Sequence, residues 1–184
     1  ADVFVAVDAA SVYDTTAGAW AGRLEDGRVL VRVRVWSARL DVPHHVSMPG
    51  GRIDNELAFR FIVEELADRY RVREVVADPR FFDVFLSWLT EAGVTAAELT
   101  QNSGAMRDAE QHWYEACVTG TVAHDGDRVF ASHVHAAAAV RAESGWKVLK
   151  LQASQPIDAL TAAMMARERC ARAPREAQPW AAAW

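Results

Sequence analysis

The stretch VFVAVDAA, residues 3–10, indicates the class of fold that we expect. An apolar run of this length is typical of a buried strand in an α/β sheet, yet the run ends on Asp8. A carboxylate is costly to bury without a partner, so its place at a strand end needs a physical reason. The same pattern recurs in REVVAD, residues 73–78, which ends on Asp78 before Pro79. If the two strands are adjacent and parallel, both carboxylates emerge at the same edge of the sheet.

The rest of the chain alternates between strand-like and helix-like patterns. Asp26-Gly27 is a strong hairpin signal between two strands, and Asp54 is a plausible N-cap. The predicted strands are 3–8, 17–24, 28–36, 73–78, 95–100 and 146–151, and the predicted helices are 54–70, 80–92, 104–119, a short one near 132–141, and 157–170. A three-strand meander followed by alternating helices and strands predicts an α/β fold, a mixed β-sheet with helices on both faces.

Length, charge and cysteine content restrict the class of protein. The chain has 184 residues, which suits one domain over 1–171, and residues 172–184 are expected to form a flexible tail. No apolar run reaches the roughly 18 residues of a membrane helix, and no secretory signal pattern is seen at the N-terminus. Two cysteines, Cys117 and Cys170, are predicted to be buried free thiols, which fits a reducing cytoplasm. A net charge of −5 argues mildly against a protein that holds DNA by its own charge.

A third carboxylate, Asp158, begins the last predicted helix and is able to face Asp8 and Asp78. Three clustered carboxylates repel one another, and divalent cations with hard oxygen ligands relieve that repulsion. Two such ions about 4 Å apart support phosphodiester cleavage. Each aspartate also has a purely structural interpretation, as a turn residue or as a partner of the helix dipole. Spacing alone leaves both interpretations open.

Other candidates carry weaker signals. Asp14 is near enough in sequence to Asp8 to join a metal site, and it is equally suited to an Asx turn. His133 and His135 are predicted on a helix, where residues two apart do not share a face, so they are not expected to bind metal. The roles of these two histidines and of His124 are not assigned from the sequence. No P-loop pattern occurs in the chain.

Several stretches, in this order, resemble the nuclease domain of the large terminase subunit of tailed bacteriophages. They are VFVAVDAASVYDTTA, YRVREVVADPRF, GAMRDAEQHWYEACVTGTVAHDGDRVFASHV and KVLKLQASQPIDALTAAMMA. Each motif is loose by itself, whereas the ordered set covers nearly the whole chain. One departure is that the family often has an asparagine where this chain has His135 followed by alanines.

The resemblance implies a ribonuclease H-like fold and metal-dependent endonucleolytic cutting of concatemeric viral DNA during packaging. It assigns Asp8, Asp78 and Asp158 as catalytic metal ligands for Mg²⁺ or Mn²⁺, with two ions expected when DNA is bound. Lys150 matches a lysine that precedes the last acid of the family and is a candidate phosphate contact. We expect Arg80, beside a strand end, to be a second such contact.

The implied partners are double-stranded DNA, the terminase ATPase domain, the portal protein and the small terminase subunit. The expected location is the host cytoplasm, with no membrane association and no secretion. Two alternatives stay open: another ribonuclease H-like nucleotidyl-transfer enzyme of the resolvase or transposase type, and a non-catalytic docking module. An aspartate as the third acid counts against the transposase type, and the acidic net charge counts against a resolvase.

Overall fold

The computed structural model describes residues 1–9, 15–48, 50–78, 87–99, 104–143 and 145–174. Two predicted site residues, Asp14 and Arg80, lie outside these ranges. Residues 175–184 of the predicted tail and most of the helix predicted at 80–92 also lie outside them.

The centre of the described part is a seven-stranded mixed sheet with the order β4-β3-β2-β1-β5-β6, in which β7 also pairs with β3. Its strands are β1 (Asp2–Asp8), β2 (Thr15–Arg23), β3 (Val29–Ser37), β4 (Val46–Ser47), β5 (Arg71–Ala77), β6 (Ala96–Glu98) and β7 (Val122–His124). The first three strands form an antiparallel meander, whereas β5 runs parallel to β1 and β6 runs parallel to β5. The mixed sheet predicted from the sequence is therefore confirmed.

Helices cover both faces of this sheet. They are α1 (Asn55–Arg60), a π-helical segment (Phe61–Leu66), α2 (Ala67–Arg69), α3 (87–91), α4 (Gly104–Thr119), α5 (Arg128–His135) and α6 (Asp158–Arg172). The predicted cap of α1 is confirmed, because the Asp54 side chain accepts a hydrogen bond from the Glu56 N–H at 3.0 Å. None of the helices in the described ranges is long and apolar enough to cross a bilayer.

The alternation of side chains along each strand divides the core into two clusters. On one face, Phe4 and Ala6 of β1 pack in a cluster with α4 and α6. On the other face, Val5 and Val7 pack in a cluster that includes the π-helical segment. The sheet-facing side of α6 is rich in buried alanines, so this helix lies close against β1, β2 and β3. Its register on the sheet consequently fixes where its first residue lies.

Two further strands form a hairpin outside the main sheet. These strands, β8 (Ala137–Ala142) and β9 (Gly145–Lys150), pair antiparallel. The hairpin rests on α4, where the Trp146 ring stacks on Tyr114 with centroids 4.0 Å apart. Backbone N–H groups of β9 donate to α4 side chains: Trp146 to Gln111 Oε1 at 2.8 Å, and Val148 to Glu110 Oε1 at 3.1 Å.

The helix predicted near 132–141 is wrong in its boundaries. The helix in this region is α5, which begins at Arg128 because the Asp127 side chain accepts the Phe130 N–H at 2.7 Å. It ends at His135, Ala136 is its C-cap, and the next three alanines belong to β8. Alanine favours helix, but pairing with β9 overrides that local preference.

The two cysteines differ in exposure. Both are free thiols, and Cys170 is buried as predicted, whereas Cys117 is exposed, so the prediction is wrong for that residue. Burial raises the pKa of the Cys170 thiol to about 11, which keeps it protonated and unreactive at neutral pH.

Candidate functional site

Asp8 and Asp78 lie side by side at the carboxyl ends of β1 and β5. The parallel register pairs Val7 with Ala77, so the two aspartates follow at the same level. Neighbouring strands are separated by only about 4.8 Å. Both aspartates are largely buried, with 9% and 7% of their surface exposed. This is the strand arrangement that the sequence predicted for the two carboxylates.

Strand alternation places both aspartates on the face that α6 covers. Asp8 continues the series of Phe4 and Ala6, and Asp78 continues from Val76; all three of these apolar residues belong to the cluster around α6. Asp8 and Asp78 therefore share one edge and one face of the sheet.

The start of β2 reaches the same corner of the sheet. In the antiparallel register Asp8 pairs with Ala17, so Thr15 lies beyond it at the same edge. Thr15 is two residues from Ala17, which packs in the cluster around α6, so Thr15 also points to the α6 face. The Thr15 hydroxyl donates a hydrogen bond to Asp158 Oδ2. This contact joins the helix that carries the third acid to the strand edge that carries the other two.

The structure thus brings Asp8, Asp78 and Asp158 to one corner of the fold. Within the described ranges, however, no three His, Cys, Asp or Glu side chains are grouped closely enough to hold a metal ion. The roles of the three aspartates as metal ligands and catalytic residues stay a prediction.

A buried histidine contacts the first turn of α6. His133 of α5 is fully buried, and its Nδ1 accepts the Ala159 N–H at 3.1 Å. The N-cap of α6 is Ile157, whose side chain makes no capping hydrogen bond. The sequence predicted neither this contact nor that of Thr15. An apolar N-cap is a signal that an acceptor must come from elsewhere, but it does not say which residue supplies it.

The segment that leads into α6 is held by a second loop. Arg39 Nη1 donates to the Ser154 carbonyl at 2.9 Å, while the same guanidinium binds both carboxylate oxygens of Asp41 at 3.0 and 2.7 Å. The Asp41 contact orients the arginine, which in turn restrains the backbone four residues before Asp158.

Lys150, the candidate phosphate contact, is the last residue of β9 and is exposed. It pairs with Ala137, and it lies on the opposite face of the hairpin from Lys147 because residues three apart on a strand alternate. Val148 and Ala137, on the same face as Lys150, pack against the α6 cluster. Of the two lysines, Lys150 therefore lies on the face that turns toward the body of the domain.

The remaining histidines in this region have local partners. His45 Nδ1 accepts the Val35 N–H at 2.9 Å, and its Nε2 contacts Asp127 Oδ2 at 3.0 Å. Burial raises the pKa of Asp127, but hydrogen bonds from His45 and from the Phe130 N–H outweigh that effect and leave the pKa below its ordinary value. His124 Nδ1 accepts the Gly126 N–H at 3.0 Å and closes a turn. These contacts support structural roles.

No family model and no curated protein sequence matches the chain. Solved structures do match it: the chain shares its fold with bacteriophage large terminase nucleases, and this is the fold that the sequence predicted. The HK97 bacteriophage large terminase aligns with a TM-score of 0.78 at 21% identity, over 91% of this chain and 39% of that chain. The large terminase nuclease of thermophilic phage G20c aligns with a TM-score of 0.63 at 16% identity, over 89% of this chain and 80% of that chain.

A second structure of the G20c nuclease, with bound magnesium, aligns with a TM-score of 0.61 at 16% identity, over 91% of this chain and 80% of that chain. At such identities the likeness establishes the fold. The chain spans about two fifths of the length of the HK97 protein, at 39%.

Proposed function

We propose that this chain is a divalent-metal-dependent DNA endonuclease of the kind that cuts concatemeric viral DNA during genome packaging. The observation that supports the proposal is that Asp8 and Asp78 share one edge and one face of the sheet, and that Thr15, at the same edge, donates a hydrogen bond to Asp158 of α6. The fold shared with large terminase nucleases, one of them with bound magnesium, supports it.

The donors at this corner are carboxylate oxygens, which are the ligands that a hard divalent cation takes. Two largely buried carboxylates on adjacent strands repel each other, and Mg²⁺ or Mn²⁺ relieves that repulsion. Asp8, Asp78 and Asp158 would hold the metal, with Asp14 as a further candidate ligand and two ions expected when DNA is bound. When bound, such ions activate a water molecule and stabilise the leaving oxygen in phosphodiester hydrolysis.

The residues of the chain supply rigidity and orientation. Asp8 ends a strand that is hydrogen-bonded on both sides, which fixes its backbone. Thr15 donates to the carboxylate of Asp158 and so orients it toward the edge of the sheet. Lys150, and Arg80 beside the second strand end, are the proposed phosphate contacts. With a net charge of −5, the isolated chain offers few such contacts and should bind DNA weakly.

The packaging role extends this proposal to partners. Double-stranded DNA is the proposed substrate, and a terminase ATPase domain, a portal protein and a small terminase subunit are the proposed assembly partners in the host cytoplasm. Residues 1–171 would form the nuclease domain in that assembly, followed by a tail over 172–184.

The experiment is a plasmid-nicking assay with supercoiled DNA. We expect weak nicking and linearisation with little sequence preference when Mg²⁺ or Mn²⁺ is present, and none after a chelator is added. Preference for a four-way junction over linear duplex would favour a resolvase instead. DNA or protein binding without cleavage under any metal condition would favour the docking module and would contradict the proposal.

A further inference from the structure

We infer that His133 is a positioning residue for Asp158, an inference that rests on the proposed function. The imidazole is fully buried between α5 and α6 and accepts the Ala159 N–H, which belongs to the residue directly after the acid. Its role is to hold the first turn of α6 so that Asp158 faces the strand edge.

The first turn of α6 needs this acceptor because its own N-cap cannot supply one. In a helix, the second amide after the N-cap is normally accepted by the N-cap side chain. Here the N-cap is Ile157, which has no acceptor atom, and Ala159 is that second residue. His133 replaces the missing cap from a neighbouring helix. A buried amide without a partner would favour fraying of the turn that carries Asp158.

The contact also fixes the chemical form of the histidine. Nδ1 accepts a hydrogen bond only when it carries no proton, so the imidazole is neutral and its proton is on Nε2. The adjacent residue is held as well, by the hydrogen bond from Thr15 to the Asp158 carboxylate. One contact holds the backbone and the other orients the side chain, and together they define the direction of the third carboxylate.

Two substitutions separate the effect of losing the hydrogen-bond acceptor from the effect of losing the volume of the ring. His133→Leu fills most of the space but removes the acceptor, whereas His133→Asn places an amide oxygen near the position of Nδ1. His135 lies two residues further along α5 and is exposed, so His135→Leu and His135→Asn are matched controls. Loss of a group that orients a metal ligand typically costs about 10–100-fold in metal affinity.

The test is the affinity of the 184-residue chain for Mn²⁺, measured by titration calorimetry well below the melting temperature of every variant. We expect His133→Leu to weaken Mn²⁺ binding by about tenfold or more. We also expect His133→Asn to recover most of the affinity and both His135 variants to match the wild type. Wild-type affinity in His133→Leu, or equal weakening in His133→Leu and His133→Asn, would overturn the inference.

A second measurement keeps the inference testable if His133→Leu does not fold. The ¹⁵N spectrum of the wild-type imidazole reports its tautomer: a proton on Nε2 supports the inference and a proton on Nδ1 overturns it. The two proposals also fail in different ways. A wild type that binds Mn²⁺ and shows the expected variant pattern but cuts no DNA contradicts only the endonuclease activity, whereas a wild type that binds no Mn²⁺ contradicts both.

Discussion

The corner of the sheet and the β8–β9 hairpin position their functional side chains by different means. Asp8 and Asp78 follow backbone ladders whose register is set residue by residue. The hairpin rests on α4 through side-chain acceptors and one stacked ring pair. A substitution at the corner should therefore change chemistry without moving the backbone. A substitution in the hairpin should weaken DNA binding only in part.

The largest effect is expected from removing a carboxylate at the corner. Asp8→Asn, Asp78→Asn and Asp158→Asn should each lower plasmid cleavage by more than about 100-fold. Losing a metal ligand is expected to cost more than losing a residue that only orients a ligand, which costs about 10–100-fold. Circular dichroism should stay unchanged, since no apolar core side chain is altered. Asp68→Asn, an exposed residue of α2 on the far side of the sheet, is the matched control. Full cutting by Asp158→Asn at equal metal and protein concentration would overturn the three-acid assignment.

Thermal stability with and without metal should show the next largest effect. Without metal, Asp8→Asn should be as stable as the wild type or slightly more stable, because it relieves repulsion with Asp78. A cation at one hundred times its Kd stabilises the native state by about 2.7 kcal/mol, which is several degrees in Tm for a domain of this size. Scanning calorimetry with Mg²⁺ should therefore raise the wild-type Tm more than that of Asp8→Asn. Equal shifts in the two proteins would place the ion away from Asp8.

The hairpin lysines test the second region. Lys150→Ala should weaken DNA binding and reduce the slope of log affinity against log salt by about one, as expected for one lost phosphate contact. Lys147→Ala should have less effect, because Lys147 lies on the opposite face of β9. Fluorescence anisotropy with a short duplex, repeated over a salt series, measures both quantities. A larger loss with Lys147→Ala would assign the outer face of the hairpin to DNA.

Much of the corner could be predicted from the sequence because its signals are local. An apolar run that ends on an aspartate marks a strand end, as at Asp8 and Asp78. Asp54 indicated a helix start that the structure confirms. The contacts of Thr15 and His133 with the start of α6 could not be predicted in this way. They join residues 143 and 26 positions apart, so they depend on packing that no local pattern encodes.

The hairpin was less predictable for a related reason. Residues 136–139 are alanines, the residue with the highest helix propensity, and local preference extended the predicted helix across them. Pairing with β9 decides the conformation of residues 137–139, and β9 is itself held by Glu110 and Gln111 of α4. The conformation of β8 therefore depends on β9 and, through it, on α4, and a local sequence pattern includes neither.

The smallest expected effect concerns the attachment of the hairpin. Glu110 is largely buried, and burial raises its pKa even though its Oε1 accepts the Val148 N–H. A carboxyl whose folded pKa lies above its unfolded value of about 4.3 destabilises the fold once pH rises through that window, and costs nothing below it. Glu110→Gln keeps an Oε1 acceptor and removes the charge. The variant should therefore melt at a slightly higher temperature than the wild type at pH 7, and the difference should vanish near pH 4. Glu143→Gln, an exposed residue in the turn of the same hairpin, controls for the change in net charge. A stability difference for Glu110→Gln that is the same at both pH values would mean that packing, and not the ionisation of a buried carboxyl, governs how the hairpin is held on α4.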